Sequence, residues 1–234
     1  RTIIGFYLSR KYPERIKERL INLVREELGQ DFDVEKHFTP SYKPWDQRMC
    51  LVPDGDLFSA IKDNRANVVT DTIDTFTPTG ILLNSGNEIE ADIIISATGI
   101  ELNALNDINV SVDGVKVEAN RKLSYKGMML SGVPNLAISF GYVNSSWTLR
   151  ADLTCDYVCR LINTMDKEGC AACSPEEDLN ALVEDDYIDF TSGYVQRALD
   201  RLPKQGKKSP WRNYQNYLLD IFYVRLFSIK DSTL

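Results

Sequence analysis

Few residues in this chain could start chemistry by themselves. The one histidine, His37, would have to anchor any Ser-His-Asp or Cys-His site, and in a loop rich in aromatics and proline it reads as structural. Cys155 and Cys159 stand one helical turn apart on a face shared with apolar residues, where cysteine acts as a small hydrophobe. Cys170 and Cys173 frame a Gly-Cys-Ala-Ala-Cys-Ser turn, a weak redox signal without the following helix of a thioredoxin-type site. No metal site is expected from these ligands. None of the 13 glycines has another two residues away, so the chain carries no GxGxxG loop and no Walker loop. Phosphate cradles need close glycines because the backbone must reach the pyrophosphate with no side chain in between. A GxSxG nucleophile elbow is missing as well, which removes the α/β-hydrolase reading.

The surrounding elements can be read from periodicity and punctuation. Ile16, Leu20, Leu23, Val24 and Leu28 form one stripe of a helix between Pro13 and Gly29. His37 to Arg48 has neither helical nor strand period and reads as an ordered loop, followed by a short helix over 56–61. Three strands are expected at 68–76, 80–84 and 90–96. The last is almost continuously apolar through Ile93, Ile94 and Ile95, as in a strand buried on both faces of a parallel sheet. Another buried strand is expected over 135–141, running into Asn144-Ser145-Ser146-Trp147-Thr148 and a long helix with Leu149, Leu153, Tyr157, Leu161 and Met165 on one stripe. Strand, tight turn and capped helix are how α/β proteins bring a helix N-terminus to a ligand. Past Pro175 come acidic and helical stretches, a polar loop over 203–210 and an aromatic helix around 211–227.

Composition narrows the class. With 234 residues, 43% hydrophobic and 26% charged, the chain is long enough for a real core and balanced like a soluble globular protein. Acidic residues exceed basic ones, 34 to 27, for a net charge of -7, which disfavours nucleic acid as a partner. No apolar run reaches the roughly 20 residues of a membrane span, and the start at Arg1 is no signal peptide. That start, directly in an Ile-Ile-Gly-Phe-Tyr run, reads as cut from something longer. Five cysteines, an odd number, suit a reducing cytoplasmic compartment better than a disulfide framework.

The segment from Ala91 through Thr98-Gly99-Ile100 resembles the ATG-type segment of flavoproteins with two dinucleotide-binding domains. Pro44-Trp45-Asp46-Gln47-Arg48 with 52–58, Tyr125 to Asn135, and Gly141 to Leu153 resemble the class B flavin-dependent, Baeyer-Villiger type monooxygenases, closest to their ethionamide-activating branch. The resemblance runs in order through Ser192 to Arg197 and Pro203 to Arg212, nearly the whole chain. It implies an α/β fold: the C-terminal portion of a two-dinucleotide-binding-domain flavoprotein, with Rossmann-like sheets, helices and a β-meander. It divides the chain into the end of an NADP-binding and helical region with an active-site loop (1–66), the meander and ATG strand (67–100), the C-terminal part of the FAD domain (101–170) and a helical extension (171–234).

The implied function is an FAD- and NADPH-dependent monooxygenase. Such an enzyme inserts one oxygen atom from dioxygen into a ketone, or oxidises sulfur or nitrogen in a thio-compound or amine. The N-terminal half, with its Gly-rich loops, would be a partner, and this part alone would be inactive. The family's active-site arginine, held beside the oxygen-bearing flavin, matches Arg48. A guanidinium stays charged at any working pH and donates to anionic oxygens in a fixed fork. Read structurally, Arg48 would stack on Trp45 or pair with Asp46. Gln47 stands where better-studied members carry a lysine that contacts NADP. By the same resemblance, Asn144, Ser145, Ser146 and Trp147 open the helix that points at the flavin, a role compatible with plain helix capping. Ala97, Thr98 and Gly99 would lie at the passage between the cofactor domains, or simply end a strand. The alternative is a degenerate flavoprotein-like module that binds or regulates a partner, with the acidic stretch of 176–186 as its surface.

Overall fold

The computed structural model describes residues 2–50, 52–105, 108–176, 185–231 and 233–234. The chain forms two compact units, Ile3–Gly99 and Ile100–Leu234.

In the first unit, α1 (Thr2–Lys11) leads into α2 (Pro13–Leu28), which begins on Pro13, where a missing N–H costs nothing, and stops at Gly29 with φ +88°. Ile16, Leu20, Val24 and Leu28 are half-buried along one stripe, as the spacing predicts, while Leu23 is exposed. Arg25 pairs with Glu35 on α3 (Val34–Phe38), and Lys62 of α4 (Asp56–Lys62) reaches Glu27 at 2.7 Å. Asp33 caps α3 by accepting from Lys36 N–H at 3.1 Å. Val34 is fully buried, and the Phe38 ring lies between Phe32 and Phe58 at 5.8 and 5.9 Å. His37 takes the structural role: its Nδ1 is hydrogen-bonded to the Thr70 hydroxyl at 2.8 Å, and its ring lies beside Phe32.

An antiparallel meander follows, β1 (Ile73–Phe76), β2 (Gly80–Leu83) and β3 (Glu88–Glu90), with Ile81 opposite Phe76 and Ile89. The expected third strand over 90–96 is not formed. The chain leaves the sheet after Glu90, and Ile93 and Ile95 are 80% and 86% exposed. A strand apolar on both faces holds its shape only with neighbours that satisfy its backbone and cover it on each side. No described strand lies beside this one.

The second unit opens with the hairpins β4 (Ser111–Val112) to β5 (Val115–Lys116) and β6 (Ser124–Tyr125) to β7 (Met129–Leu130). The second of these turns through Lys126 and Gly127, both at positive φ, the geometry that suits the twist of a tight hairpin. Residues 135–140 alternate in burial, Leu136, Ile138 and Phe140 half-covered and Asn135, Ala137 and Ser139 exposed, but only one bridge, Ala137 to Met129, pairs them. The expected strand is therefore covered on one face and unpaired along most of its length. The long helix α5 (Trp147–Glu168) closes on Gly169 at φ +69° and buries Leu153, Tyr157 and Leu161 against Tyr125, Met129 and Trp211. Cys155 and Cys159 are exposed, against the expectation that they share the apolar face. Two residues from the buried stripe is about 200° around a helix, so they point away from the core. β8 (Asp185–Asp186) pairs with β9 (Lys204–Gln205), followed by α6 (Gly193–Gln196), earlier in the chain than β9, and by α7 (Tyr217–Ile221) with a π-helical turn over Phe222–Leu226. Residues 177–184 of the acidic stretch lie outside the described residues. The chain is thus mixed α/β. Its named strands pair antiparallel, and a Rossmann-type parallel sheet is not formed among the described residues. No described helix is long and apolar enough to cross a membrane.

The end of the chain is latched to this core by a buried cation. Lys126 Nζ sits over the rings of Tyr125 and Tyr157, 4.9 and 4.8 Å from their centroids, and 3.2 Å from Asp231 Oδ2. Tyr125 donates to the same carboxylate at 2.7 Å and lies 3.2 Å from the Tyr157 hydroxyl. Burial lowers the Lys126 pKa against the pull of Asp231. Burial raises both phenols, Tyr157 to about 12, with the Tyr125 hydrogen bond opposing and the Asp231 charge reinforcing. The folded state thus keeps phenol protons that the unfolded chain sheds near pH 10. Stability from Tyr157 is complete below about pH 10 and is lost as the pH rises through about 12. The lowered Lys126 acts in the opposite sense, but its effect is complete by about pH 10.4, the unfolded lysine value. Urea unfolding above that pH is expected to show falling stability that is shallower in Tyr157→Phe; an unchanged slope in the variant would remove Tyr157 from the linkage.

Candidate functional site

The expected residues Asn144, Ser145, Ser146 and Trp147 come together at the start of α5. Asn144 Nδ2 donates to the Gln215 carbonyl at 3.0 Å, and the Val143 N–H donates to Gln215 Oε1 at 3.0 Å, so the turn is tied down on the side facing 213–216. Ser146 occupies the N-cap position with extended backbone, yet its hydroxyl engages Thr148 Oγ1 at 2.7 Å and makes no cap to the helix. The first-turn N–H groups of a 22-residue helix are left without a side-chain acceptor there. Such an end carries partial positive charge and open donors, the chemistry of an anion-binding position.

Two close approaches shape this turn. Trp147 lies flat against Gly141, where an added Cβ would come within 2.1 Å of the indole, and its ring centroid is 5.3 Å from that of Phe140. The ring remains 53% exposed. Gly127, at φ +66°, makes room in the same way for the Arg150 guanidinium, 2.5 Å from where a Cβ would stand. Glycine is required at both positions, by contact at Gly141 and by contact and conformation at Gly127.

Arg150, one turn into α5, was not among the candidates read from sequence. It is 2% exposed and faces Asp220 of α7, itself 5% exposed. Nη1 lies 2.8 Å from Asp220 Oδ2 as an ion pair whose angle makes no hydrogen bond, and Nη2 donates to the Lys126 carbonyl. Tyr142 donates to the same Asp220 oxygen at 2.7 Å, and the guanidinium stands 6.0 Å over the Tyr142 ring. Burial disfavours the charge, but Asp220, with Tyr142 behind it, outweighs that and holds Arg150 above its already high range. Burial raises the Tyr142 phenol in turn. This network joins the strand-like segment before the turn, the first turn of α5 and α7. One signal could have found it: Arg150, Leu153 and Tyr157 are three and four residues apart, which places a charge on the buried stripe.

The other candidates lie in the first unit. Trp45, at φ +69°, packs edge-on against Phe6 at 5.5 Å, and Asp46 pairs with Arg10 at 2.6 Å. The neighbours that a structural reading would give Arg48 are thus engaged elsewhere, and Arg48 is exposed. Gln47 is half-buried and bridges back to Pro44. Ala97, Thr98 and Gly99 are exposed, without regular secondary structure, Gly99 at φ +115°. Among the described residues no hydrogen bond or ion pair joins them to Arg48; Thr98 meets only Ser96, at 3.4 Å.

Removing one partner of a buried ion pair strands the other charge, at a cost of about 3–5 kcal/mol. Asp220→Ala is expected to destabilise the protein by that order in urea unfolding, and pairing it with Arg150→Met is expected to restore part of the loss. A double variant as unstable as the sum of the two would show that the groups act independently.

The chain is 50% identical over 224 residues to the FAD-containing monooxygenase EthA of Mycobacterium tuberculosis, a match covering 96% of this chain and 46% of that protein. It is 45% identical over 229 residues to the FAD-containing monooxygenase EthA of Mycolicibacterium smegmatis, covering 98% and 46%. To the probable FAD-binding monooxygenase AlmA of Acinetobacter baylyi it is 47% identical over 218 residues, covering 92% and 44%. The chain therefore spans just under half the length of the curated relatives it matches. No protein-family profile and no solved structure matches it. Identity at this level along nearly the whole chain makes it a homologue of the FAD-containing monooxygenases, equivalent to just under half of one.

Proposed function

We propose that the chain is the C-terminal part of a cytoplasmic monooxygenase that uses FAD and NADPH to place one oxygen atom of dioxygen on a ketone, in the Baeyer-Villiger manner, or on sulfur or nitrogen. The Gly-rich cofactor loops belong to the N-terminal part, and this part alone turns over nothing. The observation that carries this reading is the start of α5: open first-turn N–H groups, held from behind by Arg150 and Asp220 and flanked by the half-exposed ring of Trp147. FAD, when bound, supplies the reduced flavin at which dioxygen is activated. The residues here fit the negative charge that this chemistry places on the ring. Helix N–H groups that need no reorganisation stabilise charge where it develops, and the ties from Asn144 and Val143 to Gln215 hold them in register.

Arg48 supplies the second cation. The residues just before it are braced on α1, Trp45 on Phe6 and Asp46 on Arg10, and its exposed guanidinium is always charged and offers a planar fork to an oxyanion. Gln47, neutral, can contact NADP by hydrogen bonds and not by charge. Ala97, Thr98 and Gly99 form the passage between cofactor domains; the φ of +115° at Gly99 is open to glycine and strained for other residues. The run at 92–97, outside any described strand, and the sparsely paired run at 135–140 support the view that further strands belong beside them. Five free thiols fit a reducing compartment.

In the full-length enzyme, Arg48→Ala is expected to lower oxygen insertion by about 10²–10³-fold with FAD still bound, the usual loss for one oriented donor. Ketone oxidation at the parent rate would take Arg48 out of the mechanism. Ser145→Trp is expected to reduce the flavin content of the purified enzyme, and flavin retained in full would count against the α5 start as its site. The isolated 234-residue chain is expected to consume no NADPH with a ketone present; measurable turnover would overturn the assignment of the cofactor loops to the other part.

A further inference from the structure

At its carboxyl end α5 runs directly into Gly169-Cys170-Ala171-Ala172-Cys173. Cys170 belongs to the helix terminus, its N–H donating to the Met165 carbonyl at 2.9 Å. Cys173 is set by one residue on a different segment. Asn135, at φ +57°, donates its N–H to the Cys173 carbonyl at 2.9 Å and its Nδ2 to the Ala171 carbonyl at 3.2 Å, and accepts from the Cys173 N–H at 3.0 Å. Both thiols are free, Cys170 exposed and Cys173 half-buried. Both line one cavity of about 700 Å³, whose other walls include Leu161, Met165, Ile229 and Asp231. Only two small residues, Ala171 and Ala172, separate the helix-end cysteine from the clamped one.

We propose that Cys170 and Cys173 form a dithiol–disulfide exchange site that takes low-molecular-weight disulfides as its co-reactant. The exposed Cys170 thiolate attacks one sulfur of the small disulfide; a Cys170–S bond forms, the S–S bond of the reagent breaks, and the first thiolate leaves. Cys173 then gives up its proton and attacks the Cys170 sulfur, closing the protein disulfide and releasing the second thiolate, which takes that proton. Two protein thiols are oxidised by two electrons, and one small disulfide is reduced to two thiols. The direction of the helix sets the character of the couple. In thioredoxin-type sites the pair precedes a helix N-terminus, whereas here it follows a helix C-terminus. Burial, and then the neighbouring Cys170, push the Cys173 thiol up. A reduced form that is not stabilised leaves the disulfide hard to reduce. Cys155 and Cys159, exposed on the rigid outer face of α5, lack any such turn.

The test uses the full-length protein treated with glutathione disulfide, acid-quenched, alkylated and digested with trypsin, which leaves both cysteines in the peptide that follows Lys167. That peptide is expected to be two hydrogens lighter than its dithiol form and to resist alkylation until reduced. Cys173→Ser is expected to stop at a mixed disulfide on Cys170, Cys170→Ser to react about tenfold more slowly, and Asn135→Ala to slow closure without slowing the first attack. A parent protein that accumulates the mixed disulfide on Cys170 without closing, or that keeps Cys170 and Cys173 as thiols while Cys155 and Cys159 react, would overturn the proposal.

Discussion

A guanidinium and a carboxylate removed from water together, Arg150 and Asp220, determine how the C-terminal unit is assembled. Neither can be buried alone, because an unpaired charge in a low-dielectric interior costs several kcal/mol. The first turn of α5 and the short α7 must therefore meet, and Tyr142 must bring its hydroxyl to the same oxygen. The glycine at 127 follows from this constraint, since any side chain there would collide with the guanidinium. A buried ion pair contributes little net stability compared with apolar packing, but it tolerates only one arrangement.

The two units differ in how far their apolar sequence is used. Around α5 the core is close-knit, with Tyr125, Tyr157 and Leu153 fully covered and the tail latched through Lys126 and Asp231. In the first unit Val34 and Leu83 are buried, but the isoleucines at 93–95 are exposed to differing extents and carry no ladder of backbone bonds. Exposed apolar runs of this length are ordinarily covered in a working protein. The strand-like segment at 135–140 is likewise covered on one face only.

Local signals in the sequence were enough for α2, α4 and α5, but not for α1 or for α3, whose last residues fall in the segment read as a loop. Pro13 and Gly29 bracket α2, Ser146 and Gly169 bracket α5, and the stripe of Leu153, Tyr157 and Leu161 is buried as its spacing requires, because these features act within one turn of the backbone. Of the strands, the sequence located β1 and β2, which pair nearby in the chain, while the third, expected at 90–96, forms instead at Glu88–Glu90. Period and composition cannot say whether a neighbour is present, which is why the run through Ile93, Ile94 and Ile95 in the expected strand 90–96 reads as buried from sequence and is exposed in the structure. Cys155 and Cys159 share the helical spacing of the Leu153, Tyr157 and Leu161 stripe but not its phase, and so lie on the exposed face.

By itself, then, the sequence determined the long helices α2 and α5, the absence of close-spaced glycines for a phosphate loop, and, through its family motifs, which residues carry the candidate site: Arg48, Gln47, the Ala97 to Gly99 segment and the turn from Asn144 to Trp147. The tertiary structure alone decided what braces them. Asp46 goes to Arg10, Trp45 to Phe6, Gln215 to the Asn144 turn and Asp220 to Arg150, and none of these partners is adjacent in sequence. The physical reason is that desolvation and packing are properties of a place in space: only when distant segments close around a charge does it become clear which counter-charge must stand beside it.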